Sequence, residues 1–158
     1  MVAMSAETLK QQLQSDLTVA MKARDELRTS TLRMLRAAIM NAEVAGDEAV
    51  ELTEEQTVAV LLAEAKKRAE AAQVYEDAGR AEQAAKERAE LRIIESYLPA
   101  AMTDDELAVI VDEEVAAAGA SGATGGKALG LVIKAVRDRA GAAADGARIA
   151  TMVKAKLT

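Results

Sequence analysis

The chain has 158 residues, a formal net charge of −6, and no cysteine, histidine, phenylalanine or tryptophan. A chain of this length suits one compact domain or two small ones. The missing cysteine excludes disulfides and thiolate metal sites, and the missing histidine removes the commonest general base and metal ligand. The composition therefore argues against most hydrolase and zinc chemistry, and we predict no catalytic residue, no metal and no cofactor.

Signals for membrane insertion or secretion are missing from the sequence. The amino terminus has no basic region followed by an apolar core, and apolar runs such as 128–133 are far too short to span a bilayer. We therefore predict a soluble, cytoplasmic protein with no membrane partner.

Two amphipathic helices are predicted in the first 44 residues. The first runs from Ser5, a plausible cap, to Arg24, and the second runs from about Asp25 to Val44, where Gly46 ends it in the left-handed conformation. In the first helix the apolar residues recur every four positions and share one face: Leu9, Leu13, Leu17 and Met21. In the second, Arg33 and Arg36 lie opposite the apolar side, where exposed salt bridges are the expected role.

A third helix starts at the capping box Thr53–Gln56 and reaches Gly79, where the chain turns. A fourth helix follows from about Ala81 to Leu98. Its predicted water-facing residues are Glu82, Lys86, Glu87 and Glu90. These four helices, joined by short connections, predict either a bundle or two packed hairpins.

The single proline separates two helical patterns. Pro99 cannot donate a backbone hydrogen bond and disfavours the helical conformation of Leu98. A new capping box, Thr103–Glu106, begins four residues later. We therefore predict a boundary between an amino-terminal unit, residues 1–99, and a carboxy-terminal unit, residues 100–158.

Three short helices are predicted after this boundary. The first spans Asp104–Ala118 and ends at Gly119, the second is capped by Thr124, and the last is capped by Asp145. No stretch alternates apolar and polar residues as a strand would. The predicted fold class is therefore all-α, with four helices followed by three.

The charge is distributed unevenly along the chain. Residues 127–158 carry seven basic and two acidic residues, a net charge of +5, which leaves −11 for residues 1–126. A spacing of 100° per residue places Lys127, Lys134 and Arg137 in one stripe of the sixth helix, with Gly130 between them. Arg148 and Lys154 on the last helix extend this candidate RNA-binding surface. The alternative is an ordinary solvated basic face.

Other motifs favour structural roles. Gly125-Gly126-Lys127 lacks the first glycine, the following Ser or Thr and the preceding strand of a nucleotide-binding phosphate loop, although glycines and a lysine at a helix start suit anions. The paired carboxylates are typical of first helical turns and solvated faces rather than of metal sites. Tyr75 and Tyr97, near helix ends, are expected to cover the core rather than to stack on bases.

Five short segments follow one another along the chain: Leu32–Glu43, Tyr75–Arg80, Tyr97–Pro99 with Leu107, Gly126–Lys127, and Ala144–Gly146. In this order and spacing they resemble the YqeY-like family, the stand-alone members of the GatB/YqeY grouping. The resemblance covers about Ser5 to Leu157. One feature departs from the family pattern, which runs an arginine directly into Ala-Asp-Gly. Here extra glycine and alanine residues separate Arg139-Ala140 from Ala144–Gly146, so the loop is longer.

The resemblance implies an all-helical protein of two units. It also implies that the carboxy-terminal unit is similar to the tail of the B subunit of tRNA-dependent aspartyl/glutamyl-tRNA amidotransferase. That tail contacts tRNA and performs no chemistry. The expected partners are therefore tRNA and, beyond it, an amidotransferase or another translation-related protein.

Three functions compete at this point. The first is a tRNA-binding accessory module without chemistry of its own, supported by the basic tail and by the resemblance. The second is a helical adaptor whose acidic body docks a protein partner. The third, carried by the resemblance alone, is part of a carbon-nitrogen ligase with glutamine as amido-N-donor. The sequence offers no activated nucleophile and no ATP-handling motif for that reaction.

Overall fold

The computed structural model describes residues 7–157, with the exception of the Ala142 side chain. Within this range the chain is helical without a single strand, which confirms the all-α prediction. The seven α-helices are α1 Leu9–Lys22, α2 Glu26–Glu43, α3 Glu54–Asp77, α4 Ala81–Glu95, α5 Asp104–Ala120, α6 Gly125–Ala140 and α7 Gly146–Leu157. A short 3-10 turn, Gly141–Ala143, lies between α6 and α7.

The chain divides at the Leu98–Pro99 bond into two compact units, here called unit 1 and unit 2. Each unit has its own core of aliphatic side chains. The core of unit 1 contains Leu9, Leu13, Leu17, Ala20, Leu32, Leu35, Ile39, Leu61, Ala65 and Ile94. The core of unit 2 contains Leu107, Val111, Val132, Val136, Ala140, Ala144, Ile149 and Val153.

Unit 1 consists of two helical hairpins. The helices α1 and α2 pair with each other, α3 and α4 pair more extensively, and α2 packs against both members of the second hairpin. Thr8 caps α1 in a reciprocal capping box, since its hydroxyl accepts from the Gln11 amide at 3.1 Å while the Gln11 side chain accepts from the Thr8 amide. The predicted cap, Ser5, lies outside the described residues.

The buried face of α1 differs from the prediction at its last turn. Met21 is 49% exposed, and Ala20 is buried in its place. A strict four-residue repeat advances by 400° and drifts around the helix, so the fourth member of the predicted row has rotated away from the core.

A side chain, and not a glycine, organises the end of α2. The helix ends at Glu43, and Gly46 does not take the predicted left-handed conformation. The Glu43 carboxylate accepts from Lys10 Nζ at 2.9 Å and from the Leu52 amide at 3.3 Å. The hydrogen bond from Lys10 is the main cause that lowers the pKa of Glu43. This carboxylate therefore ties α1 and the α2–α3 connection to the end of α2.

Charged side chains lie inside the α3–α4 hairpin. Arg68 Nη1 lies 3.3 Å from Glu87 Oε2 and 3.6 Å from Glu90 Oε2. Glu90 is buried, which contradicts its predicted water-facing position. The prediction was wrong because alanine-rich helices approach closely, so long side chains beside the seam become covered by the partner helix.

Tyr97 closes unit 1 just before the proline. The helix α4 ends at Glu95, three residues before the predicted Leu98. The Tyr97 hydroxyl donates to Asp16 Oδ2 at 2.6 Å and accepts from Arg28 Nη2 at 3.1 Å. Burial and then the bond to Asp16 raise the pKa of Tyr97 to about 12. The segment after α4 is thereby fixed to α1 and α2.

In unit 2, α5 pairs with α6 and α7, and α6 pairs with α7. The predicted capping box Thr103–Glu106 opens α5. The helix runs through Gly119, the predicted stop, to Ala120, and Gly122 is the glycine that turns the chain with φ +82°. Gly119 continues the helix because a glycine ends one only where the chain requires positive φ.

The segment between the last two helices packs as part of unit 2. It forms the 3-10 turn that begins at Gly141, whose φ is +56°. The Ala143 carbonyl accepts from the Met102 amide at 2.7 Å, and Ala140 and Ala144 are buried on either side. This segment therefore joins α6 to the residues that precede α5.

Candidate nucleic-acid interface

The helix α6 has one buried and one exposed face. Its buried residues, Ala128, Val132, Val136 and Ala140, recur at the spacing of a single helical face. Lys127, Gly130, Lys134 and Arg137 are all exposed on the opposite side, and we call these four residues the α6 stripe. The structure thus places the three predicted cations of this helix together on one accessible surface.

The cations of the α6 stripe lie outside the ion pairs of the described part of the chain. Lys127, Lys134 and Arg137 form none with any of residues 7–157. The Arg137 guanidinium instead passes close to Gly146 at the start of α7, where an added Cβ would lie 2.9 Å from Nη2. The glycine of the Ala144–Gly146 segment therefore leaves room for the Arg137 side chain.

Three other cations of unit 2, Arg139, Arg148 and Lys156, have acidic partners on α5. Arg139 lies 2.7 Å from Glu113 and 3.1 Å from Glu114, and these carboxylates raise its pKa. Lys156 Nζ lies 3.1 Å from Asp112 Oδ1. Counted from Pro99, unit 2 carries seven basic and eight acidic residues, a net charge of −1. The acidic residues of 99–126 therefore offset the excess of +5 in residues 127–158, while the three cations of the α6 stripe stay exposed and form no ion pair with residues 7–157.

The two predicted site residues on α7 stand in different surroundings. Arg148 donates to Asp104 Oδ1 through Nη2 at 2.6 Å and Nε at 2.9 Å, and it is only half-exposed. A phosphate at Arg148 would have to compete with this carboxylate. Lys154 is exposed on the same helix.

The backbone near the start of α6 is accessible. Gly130 and Gly126 have no atom of the described chain within 4 Å of the position that a Cβ would take. Thr124 stands at the N-cap position but makes no side-chain cap bond with any described residue, contrary to the capping role predicted for it. Its extended backbone starts the helix, and Gly125 follows with φ +61°. Another molecule can thus approach the helix backbone between the cations.

The exposed side of α6 is not purely basic. Leu131 is 48% exposed, and Asp138 follows Lys134 by one helical turn. The face therefore combines three cations, one carboxylate and one apolar side chain. This set suits electrostatic contact with a phosphate backbone, and it provides no nucleophile with an adjacent base.

Residues 7–157 contain no group of three or more acidic side chains arranged to hold a metal ion. None of the helices in this range is both long and apolar enough to cross a lipid bilayer.

Sequence reasoning missed two features of the charge pattern. It did not anticipate that α5 pairs with Arg139, Arg148 and Lys156, although the acidic residues of 104–114 were visible. It also expected Arg33 and Arg36 to form exposed salt bridges, and neither pairs with any described residue. The useful signal is a count of charges over the whole folded unit instead of over a sequence segment. Such a count includes the acidic residues of α5, and it leaves the α6 stripe as the set of exposed cations without an ion pair to residues 7–157.

The geometry defines a class of protein: two all-helical units, the second with an accessible cationic helix face. Comparison with protein families makes the assignment specific, since the sequence model of the Yqey-like protein family matches residues 10–157. The chain belongs to this family. No curated protein matches it significantly.

Proposed function

We propose that this protein is a tRNA-binding accessory module that contacts the phosphate backbone through the α6 stripe and performs no chemistry of its own. One observation carries the proposal. Lys127, Lys134 and Arg137 remain exposed and without ion pairs to residues 7–157, in a unit where α5 pairs with three other cations. Cations without partners lose no interaction when they meet a phosphate.

The shape of the face supports the same proposal. Gly130 lies between the cations and has open space above it, so a nucleic-acid strand can approach the helix closely. The adjacent Leu131 offers a small apolar surface to a sugar or base. Backbone contact of this kind gives affinity and orientation with little dependence on base sequence.

The choice of tRNA rests on the similarity to the amidotransferase tail that the five sequence segments imply. Membership of the Yqey-like family is consistent with it. The cytoplasm, where tRNA acts in translation, is the proposed location, and an amidotransferase or another translation-related protein is the proposed further partner.

The test is the salt dependence of tRNA binding by the full-length protein. We expect the variant Lys127→Glu, Lys134→Glu, Arg137→Glu to bind more weakly. The slope of log affinity against log salt changes by about 0.7 to 0.9 per phosphate contact, so its magnitude should fall by roughly two to three. Fluorescence anisotropy at several potassium chloride concentrations measures both quantities.

A matched control separates this site from general charge effects. Lys66, Lys86 and Arg92 are exposed in unit 1 and form no ion pair with residues 7–157. Reversing these three to glutamate changes the net charge by the same amount and should alter the salt slope much less. Equal slopes for the two variants, both shown to be folded by circular dichroism, would reject the α6 stripe. If the unmodified protein does not bind tRNA, the protein-adaptor function takes precedence.

A further inference from the structure

A shallow depression of about 330 Å³ lies on unit 1, at the turn between α1 and α2. It is lined by Met21, Arg24, Glu26, Thr29 and Arg33. The lining therefore contains two guanidinium groups, one hydroxyl, one carboxylate and one flexible apolar side chain. No part of the proposed tRNA-binding face belongs to it.

Arg24 occupies a conformation that usually belongs to glycine. Its φ is +58°, and it is the only non-glycine residue with positive φ among residues 7–157. The turn is closed by the Asp25 amide, which donates to the Ala20 carbonyl at 3.0 Å, and by the Arg24 amide, which donates to Met21 at 3.2 Å. Glycine is favoured at this point of a helix end because a Cβ is strained there.

Non-glycine residues held in such a conformation cluster at binding and catalytic sites, so an outlier of this kind motivates a hypothesis of function. The Arg24 side chain provides no ion pair to the fold, since it forms none with residues 7–157. Arg24 does line the depression together with Arg33, which also forms no ion pair with residues 7–157.

The sequence segment that contains the lining residues is positive within an acidic chain. Residues 21–40 carry five basic and two acidic residues, a net charge of +3, while the whole chain carries −6. One of the two carboxylates, Asp25, accepts from the Arg28 amide at 3.1 Å as the cap of α2. The other, Glu26, lines the depression together with the two arginines and forms no ion pair with either of them.

We propose that this depression binds a single phosphate group. The guanidinium groups of Arg24 and Arg33 donate to the phosphate oxygens, the Thr29 hydroxyl donates a further hydrogen bond, and Met21 covers the apolar part of the ligand. Arg24 and Arg33 form no ion pair with residues 7–157, so both guanidinium groups can bind a ligand. Their planar donor groups match the oxygens of a phosphate. The group belongs either to a small phosphate compound or to an RNA backbone. This site goes beyond the α6 stripe and does not depend on it.

Amide chemical shifts of the isotope-labelled full-length protein test the proposal. Three phosphate-bearing probes are titrated at constant ionic strength: inorganic phosphate, a nucleoside 5′-monophosphate and a short single-stranded RNA. We expect saturable shifts of amides in residues 21–33. Shifts with inorganic phosphate or the nucleotide assign the site to a small phosphate compound, and shifts with RNA alone assign it to a phosphate backbone. No saturable shift with any probe overturns the proposal.

Arg24→Gly distinguishes a binding role of Arg24 from a structural role, because it should weaken phosphate binding without lowering the stability of the protein. Glycine relieves the positive-φ strain, so the melting temperature should stay the same or rise. Affinity for the phosphate probe should fall about tenfold or more, since a charge-assisted hydrogen bond is lost. A structural role alone would change the stability and leave the affinity unchanged, which would also overturn the proposal.

Arg80→Gly is the matched control. Arg80 is another exposed arginine at a turn of unit 1, it lies outside the lining of the depression, and glycine is tolerated at its N-cap position. This variant should leave the phosphate affinity unchanged, and a loss equal to that of Arg24→Gly would contradict the site. The triple variant of the α6 stripe should also keep the shifts in residues 21–33 with inorganic phosphate. Failure of one proposed site therefore leaves the other open.

Discussion

Both units contain basic side chains paired with carboxylates, but the pairs compared below differ in how far water reaches them. In unit 1, Arg68 lies between Glu87 and Glu90 inside the α3–α4 hairpin, with side chains 24%, 15% and 11% exposed. In unit 2, pairs such as Lys156–Asp112 stand on the surface, with side chains 49% and 56% exposed. Water screens the surface pairs, so their contribution to stability is small. The Arg68 cluster therefore has a structural role in the α3–α4 hairpin of unit 1, while the surface pairs of unit 2 mainly determine which cations remain accessible.

Core substitutions should have the largest effects on stability. They test whether the two units, with their different surroundings for charged pairs, unfold as separate domains. Leu35 in unit 1 is fully buried, so Leu35→Ala should reduce the free energy of unfolding by about 2 to 5 kcal/mol. Val132 in unit 2 is also buried and loses fewer atoms, so Val132→Ala should cost about 1 to 3 kcal/mol. Urea unfolding and residue-specific amide hydrogen exchange measure these effects.

The predicted boundary at Pro99 adds a specific expectation for hydrogen exchange. Leu35→Ala should lower protection in residues 9–95 and leave the helices of unit 2 protected, and Val132→Ala should do the reverse. Equal loss of protection in both units with either variant would show that they unfold together and would contradict two separate domains.

The charged cluster of the α3–α4 hairpin provides the second test. Arg68→Ala leaves Glu87 and Glu90 without their cation in a partly buried site, and the free energy of unfolding should fall by about 1 to 3 kcal/mol. Lys156→Ala is the matched control on the surface and should cost about 0 to 1 kcal/mol. Urea denaturation at constant salt compares them.

A compensating variant sharpens this result. Arg68→Leu combined with Glu87→Leu and Glu90→Leu replaces the whole charged cluster by apolar side chains and should recover part of the stability lost in Arg68→Ala. If Arg68→Ala and Lys156→Ala lower the free energy of unfolding by the same amount, the buried cluster of Arg68 is no more stabilising than a surface pair, and the contrast fails.

Tyr97 provides the third test, at the end of unit 1. Tyr97→Phe removes the hydroxyl that joins Asp16 and Arg28, and the free energy of unfolding should fall by about 1 kcal/mol. The native pKa of about 12 lies above the ordinary value of 10.0. A group with a raised pKa stabilises the fold fully below its unfolded pKa, and this contribution is lost as the pH rises toward the native pKa.

The stability of the unmodified protein should therefore decline between about pH 10 and 12 more steeply than that of Tyr97→Phe. Unfolding at a series of pH values in this range gives both curves, and absorbance of the ionised phenol reports the titration directly. Parallel curves for the two proteins would show that the Tyr97 hydroxyl is not tied to the fold as described.

Much of the fold was predictable because helix signals are local. The capping boxes at Thr53 and Thr103 open α3 and α5 as predicted, and Gly79 turns the chain between α3 and α4 with φ +73°. Two of the errors concern helix ends without such a signal. Gly46 and Gly119 were expected to end helices and do not, because whether a glycine needs positive φ depends on the path of the chain around it.

The candidate sites were predictable only in part. The spacing of Lys127, Lys134 and Arg137 on α6 follows from helical periodicity, and the structure confirms that they share an exposed face. The engagement of Arg148 by Asp104 was not visible, because these residues are 44 positions apart. The depression beside Arg24 was missed for a similar reason, since it requires both the turn conformation and the arrangement of two helices.

By itself, the sequence determined the helical class, the order of the seven helices, the break at Pro99 and the family, because apolar periodicity, caps and a proline act within a few residues of their own position. Only the tertiary structure decided which charges are neutralised. Coulomb energy depends on distance and on exposure to water, and packing sets both by bringing α5 beside α6 and α7 and by closing α4 over Arg68. Lys127, Lys134 and Arg137 are accessible cations for that reason, while Arg139, Arg148 and Lys156, which look the same in the sequence, are paired.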